Sequence, residues 1–195
     1  MKNIYKIFLV GLIAAGSTIS CTDSELAIDA LYEGVDKSGA FIRTIESPFQ
    51  LVNLSDPTKN FIAATIEVQE GQGDVSTFTE VRVFISSYND QDQLEATLDT
   101  SGNPLTEVLL STLPASDFTP SAGNRLPSNA FSIPTQTLVD LYPDAVFTIP
   151  TFVVIRLELE LADGRVFTDV NVGPTVSTGN YFTAPSFYNI IFLPI

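Results

Sequence analysis

Histidine and tryptophan are absent from this chain of 195 residues, and cysteine and methionine occur once each. Without an imidazole, His-based nucleophilic triads, Cys/His zinc sites and most acid–base schemes that operate near neutral pH are excluded. A single thiol excludes a disulfide within the chain. Cations are scarce: Lys and Arg total 9 against 23 Asp and Glu, a formal charge of −14. So acidic a chain argues against nucleic acid as a partner, because neutralising phosphates takes clustered Lys and Arg. With 45% apolar residues and 14 Phe, it is nevertheless no disordered acidic tail.

The remaining routes to catalysis are poorly supplied. A Ser nucleophile lacking His could turn only to a lysine, and past the N-terminus those are Lys37 and Lys59. No Gly-x-Ser-x-Gly elbow and no glycine-rich phosphate loop ending in Lys occurs. A glycosidase needs only two carboxylates, but such enzymes usually bring Trp and a large cleft as well. No catalytic residue and no enzyme activity are expected.

What is present begins at the N-terminus. Met1 to Lys6 is short and basic, Ile7 to Ala15 is an apolar run, and Gly16 to Ser20 is small and polar before Cys21. As a helix, nine apolar residues span roughly 14 Å, about half of the ~30 Å hydrocarbon layer. That length predicts a cleaved signal over residues 1–20 rather than a permanent anchor. Thr18-Ile19-Ser20-Cys21 resembles a bacterial lipobox, in which the Cys thiol receives a diacylglycerol, although the box usually has Leu where Thr18 stands. The expectation is lipidation at Cys21. A secretory signal cut elsewhere is the alternative.

Residues 21–37 then read as an acidic tether. Thr22-Asp23-Ser24-Glu25 resembles the acidic tag that sends Bacteroidota lipoproteins to the outer cell surface, and equally suits a plain solvated spacer. The expected localisation is therefore the outer membrane, lipid-anchored, facing the cell surface or the periplasm.

Residues 38–195 read as strands. Ala40 to Glu46 is a short β run ended by Ser47-Pro48. From Phe61 to Val68, Ile62, Ala64, Ile66 and Val68 alternate with Ala63, Thr65 and Glu67. From Thr79 to Ser86, Val81, Val83 and Ile85 oppose Glu80, Arg82 and Ser86, with Phe84 on the outer side and a neighbouring loop expected to cover it. Val153, Ile155, Leu157, Leu159 and Leu161 share one face against Arg156, Glu158 and Glu160. Period two over nine residues marks an antiparallel strand with one buried side. Asp163-Gly164 predicts a type I′ hairpin, with Val166 to Val172 returning. Phe187 to Leu193 closes a sheet.

Thr135 to Leu141, after Pro134 and before Pro143, reads as a short helix capped by Thr135. Between Tyr88 and Asn129, Thr106 to Leu110 suits a strand, while Pro104, Pro114, Pro120 and Pro127 confine the region to edges and loops. Six to eight short strands predict an all-β fold, an immunoglobulin- or fibronectin-like β-sandwich with one short crossover helix. A small closed barrel is the alternative.

Two clusters are candidate sites. Asn89, Asp90, Asp92 and Glu95 crowd hard oxygen ligands into one loop after a strand, as calcium sites do, although the spacing lacks the Gly and distal Glu of an EF-hand. Otherwise this is a solvated acidic loop, and no other cofactor is expected. Tyr181, Phe182, Phe187 and Tyr188 form the best aromatic patch, a binding surface if exposed and core if strand alternation turns them inward. Arg43, on an otherwise apolar strand, either pairs with a carboxylate or anchors an anionic ligand.

Together the lipobox ending at Cys21, the acidic tether and the stretch Asp163-Gly164-Arg165-Val166-Phe167 resemble the small accessory lipoproteins of Bacteroidota outer membranes. Ser38 to Thr44 and Phe187-Tyr188-Asn189 add to the likeness. Proteins of that kind stand beside TonB-dependent transporters and starch-utilisation-type binding lipoproteins. The resemblance implies a non-catalytic binding module held at the membrane by its lipid. Its expected partners are an outer-membrane transporter, surface lipoproteins or a polysaccharide. The resemblance assigns no binding residue. Alternatives are a structural or adhesive cell-surface module, or a glycan-binding domain.

Overall fold

The structure is a computed structural model and describes residues 39–48, 51–53, 61–71, 78–148, 150–171 and 186–193, with the backbone alone at Phe61. All of them belong to the unit running from Ser38 to Ile195. The signal, the tether and Cys21 lie outside the described residues.

Along the chain come β1 (Ala40–Glu46), β2 (Leu51–Asn53), β3 (Phe61–Glu70), β4 (Phe78–Tyr88), β5 (Leu98–Asp99) and β6 (Val108–Pro114). A 3₁₀ turn (Ala115–Asp117), β7 (Thr119–Pro120), β8 (Pro127–Pro134) and α1 (Thr135–Leu141) follow. The series ends with β9 (Ala145–Val146), β10 (Thr151–Leu161), β11 (Val166–Phe167) and β12 (Phe187–Leu193).

The smaller sheet has the order β1-β3-β8-β7 and the larger β2-β12-β10-β4-β6, with β11 added beside β10 and β5 paired with β9 apart from both. Let β1 and β2 be the two halves of strand A, followed by β3 as B, β4 as C, β6 as C′, β7 as D, β8 as E, β10 as F and β12 as G. The sheets then read A-B-E-D and A′-G-F-C-C′, which is the immunoglobulin order. The fold is an all-β sandwich, not a barrel. Strand A changes sheets after Ser47-Pro48: β1 pairs antiparallel with β3, whereas β2 pairs parallel with β12.

The centre of the larger sheet follows directly from the alternation of two strands. Ile155, Leu157 and Leu159 of β10 stand opposite Ile85, Val83 and Val81 of β4, and all six are fully buried. Each such side chain contributes about 1.5–3 kcal/mol on removal from water. Ile42, Ile62, Ile66 and Val68 from the smaller sheet belong to the same core.

Several local expectations are corrected. Leu161 and Gly164 close a turn, with the Gly164 N–H on the Leu161 carbonyl at 2.9 Å and the Leu161 N–H on the Arg165 carbonyl at 2.9 Å. Gly164 has φ +84°, but Asp163 is not among the residues with positive φ. The connection is therefore a three-residue loop with glycine in the left-handed position rather than type I′. The return strand β11 ends at Phe167, and residues 169–171 form a turn.

The helix spans Thr135–Leu141 as expected, but its N-cap is Pro134 with no side-chain cap, and Thr135 Oγ1 is buried without a partner. The expected strand over Thr106 to Leu110 is displaced to Val108–Pro114 at an edge. The segment beginning at Pro127 is the inner strand β8, its prolines placed at both ends of the ladder. Ser86, although it points outward, is buried opposite Val154.

Candidate functional site

The aromatic cluster divides. Tyr181 and Phe182 lie outside the described residues. On β12 the alternation turns Tyr188 inward, where it is 6% exposed and its hydroxyl lies 2.9 Å from Thr44 Oγ1. Tyr188 is thus core, which corrects its place in a binding surface. Phe187 is half-buried beside Arg156 in the ladder.

The polar face of the larger sheet is occupied by ion pairs. Arg156 grips Glu107 with two hydrogen bonds, Nε to Oε1 at 2.8 Å and Nη2 to Oε2 at 2.6 Å, and reaches Glu158 at 2.6 Å. Its guanidinium stacks 4.5 Å from the Phe84 ring centre. The outward Phe84 therefore has an arginine cover, where a loop was expected. The hydrogen bonds to Glu107 lead the effects that hold Arg156 firmly protonated. Arg82 lies 3.3 Å from Glu158 and 3.1 Å from Glu160. On the other sheet Arg43 pairs with Glu67 at 3.4 Å, so it is engaged by a carboxylate. Glu67, expected outside, is only 4% exposed, and Asn124, from the loop between β7 and β8, donates to it at 2.9 Å. Of the five arginines, Arg43, Arg82, Arg156 and Arg165 have carboxylate partners, and Arg125 is exposed in the loop between β7 and β8.

The four oxygen-bearing residues share the loop after β4, but the side-chain oxygens of Asn89 and Asp90 are turned toward the protein. Asp90 accepts the N–H of Glu95 at 2.6 Å and of Leu94 at 3.2 Å. These backbone donors, Glu95 first, hold its carboxyl below the usual range. Asn89 Oδ1 accepts the Thr148 hydroxyl at 2.9 Å, and the Asn89 N–H reaches the Glu95 carbonyl at 2.8 Å. Asp92 and Glu95 point to solvent. Among the described residues no group of three or more Asp, Glu, His or Cys side chains is placed to hold a metal ion.

The same loop carries a feature that sequence reasoning missed. Leu94 is 84% exposed, and nearby Leu98 and Val146, paired across β5 and β9, are 41% and 49% exposed. Asn89, Glu95, Ala96, Leu98 and Pro104 line a shallow depression of about 300 Å³. The available signal was a lone leucine inside Asp-Gln-Asp-Gln-Leu-Glu, an acidic stretch with no apolar neighbour to shelter it. Among the described residues no helix is long and apolar enough to cross a membrane. No family model matches the chain, and no curated protein matches it.

Proposed function

We propose that the chain is an outer-membrane lipoprotein whose sandwich is a non-catalytic binding module, accessory to a nutrient-uptake complex. The observation that carries this reading is the position of Cys21, the sole cysteine, at the end of the apolar run and directly before an acidic stretch. Each acyl methylene that enters the bilayer contributes ~0.8 kcal/mol, so a diacylated cysteine anchors stably where a single short chain does not. The body is then free to be charged and water-facing. The pairing of four of its five arginines with carboxylates, and the apolar side chains left exposed at Leu94, Leu98 and Val146, favour contact with another protein over capture of a small anion.

Mass spectrometry of the mature protein from its native membrane tests the anchor. The expected N-terminal residue is Cys21 carrying a diacylglycerol thioether, and Cys21→Ser should release the protein from the membrane fraction. An unmodified thiol on the mature protein overturns the anchor. Thermal melting against a polysaccharide panel tests the module, because a ligand that binds only the folded state raises the midpoint. Turnover of any glycan by the purified protein overturns the non-catalytic reading.

A further inference from the structure

We propose that the end of the sandwich built from residues 89–107 and β9 docks a protein segment that presents lysine or arginine around an exposed apolar side chain, with Leu94 as the central contact. This deepens the binding-module reading above and rests on it.

The apolar part comes first. Leu94 stands in water on a loop that is pinned in place. The Asp90 carboxylate holds the Leu94 and Glu95 N–H groups, and Gln93 Nε2 donates to Asn189 Oδ1 on β12 at 3.0 Å. Thr148 ties Asn89 to the segment after β9. A loose loop could fold its leucine away, whereas this one holds it out. Gln93 adopts φ 62°, a left-handed conformation that costs free energy for a residue with a Cβ. Contact residues fixed before binding lose less conformational entropy on association. Leu98 and Val146, paired across β5 and β9, are exposed as well, and Leu98 lines the depression together with Glu95, the residue after Leu94.

The charges select the occupant. Residues 89–107 and β9 contain five acids, Asp90, Asp92, Glu95, Asp99 and Glu107, and no Lys or Arg. Of these only Glu107 has an arginine partner among the described residues. A second copy of the chain would bring the same acids to the contact and be repelled, as would an anionic lipid surface. A basic rim around an apolar centre is the complement, steering encounter through charge while the apolar contact supplies residence time.

The test uses the full-length protein purified in detergent from its own membrane, with acylation verified by mass on the same sample. Failure of the anchor and failure of docking are thereby read separately. The probes are short fluorescent peptides alternating Lys with Leu, Lys with Ser, and Glu with Leu. The Lys/Leu peptide should bind, and Leu94→Ser should weaken it about tenfold or more, the factor expected for losing one buried leucine. Val170→Ser is the control, since Val170 is equally exposed at 85% in the turn after β11 but lies outside the proposed surface, and it should leave binding unchanged. The double variant Asp92→Asn/Glu95→Gln should weaken binding at low salt, and that loss should vanish near ~1 M salt, where screening reaches ~3 Å.

Equal affinity for the Lys/Ser peptide, or equal loss in the Leu94 and Val170 variants, overturns the proposal. A photo-crosslinking amino acid at position 94 in living cells supplies a second measurement. It should join a partner at a segment containing Lys or Arg. Crosslinks between two copies of this chain, crosslinks to polysaccharide alone, or none at all also overturn it.

Discussion

The hydroxyl of Tyr188 on β12 lies 2.9 Å from Oγ1 of Thr44 on β1, a buried side-chain hydrogen bond that joins the two sheets through the core. Its environment raises the pKa of the phenol, chiefly through burial, with the Thr44 bond acting in the opposite direction. Tyr188→Phe or Thr44→Val leaves the other hydroxyl without its partner in a dry place. Each should cost about 1–3 kcal/mol. Removing both leaves no orphan, so the double variant should lose less than the sum of the two. Urea unfolding of the four proteins measures this as a coupling free energy.

Arg156 links Phe84 on β4, Glu158 on its own strand and Glu107 before β6. Arg156→Lys keeps the charge but loses the planar fork and the stacking on Phe84. Arg156→Ala also removes the cation that Glu107 pairs with and leaves Glu158 with Arg82 alone. Unfolding measurements should place the Ala variant about 1–2 kcal/mol below the parent and the Lys variant in between. The loss in the Ala variant should shrink with added salt, because part of it is the screened attraction of Arg156 to Glu107 and Glu158.

Those two relationships also show what a linear reading can reach. β10, β12 and α1 were legible because period-two alternation or flanking prolines mark them within a few residues. The segment β8 was not: in Pro127–Pro134 only Phe131 and Ile133 are buried, too few to show a period, and the prolines argue against an inner strand. Burial of Glu67 depends on Asn124, 57 residues away, and the cover on Phe84 comes from Arg156, also distant in sequence. The oxygen-rich loop was visible as a cluster. That Asp90 spends its carboxylate on backbone N–H groups while Leu94 faces water is a matter of loop conformation, which composition does not encode.

Glu70, at the end of β3, gives an acid-side prediction. Its Oε1 is buried without a partner, and desolvation raises its pKa above 4.5 despite a backbone hydrogen bond from Phe78. A folded-state value above the unfolded one means that the stability this group contributes is full below pH 4.5 and falls as pH rises through the folded value. Glu70→Gln keeps an acceptor for Phe78 and removes the charge. The variant should melt above the parent at neutral pH, and the gap should close below pH 4.5. Asp90, Asp99 and Asp163 act in the opposite sense, since backbone N–H donors lower their values, and they destabilise both proteins alike in acid. The difference in midpoint between variant and parent is therefore the quantity to follow.

On the alkaline side the group to watch is Tyr142, the residue after α1. Its buried hydroxyl is shared between the carbonyls of Ile85 at 3.1 Å and Thr106 at 3.0 Å. One proton serves two acceptors, joining the helix end to β4 and to the segment before β6. Burial, then the charges of Glu107 and Tyr88, push its pKa from 10.0 up to about 12. By the same linkage, the contribution of the hydroxyl is complete below pH 10 and is lost as pH rises toward 12. Tyr142→Phe should cost about 1–3 kcal/mol at neutral pH, the penalty for leaving buried carbonyls unsatisfied. As pH passes 10 the parent should lose stability faster than the variant, so that the gap narrows. Urea midpoints of both proteins, measured from neutral pH into the alkaline range, follow this directly, and a gap that stays constant above pH 10 would show that the phenol ionises as readily in the folded chain as in the unfolded one.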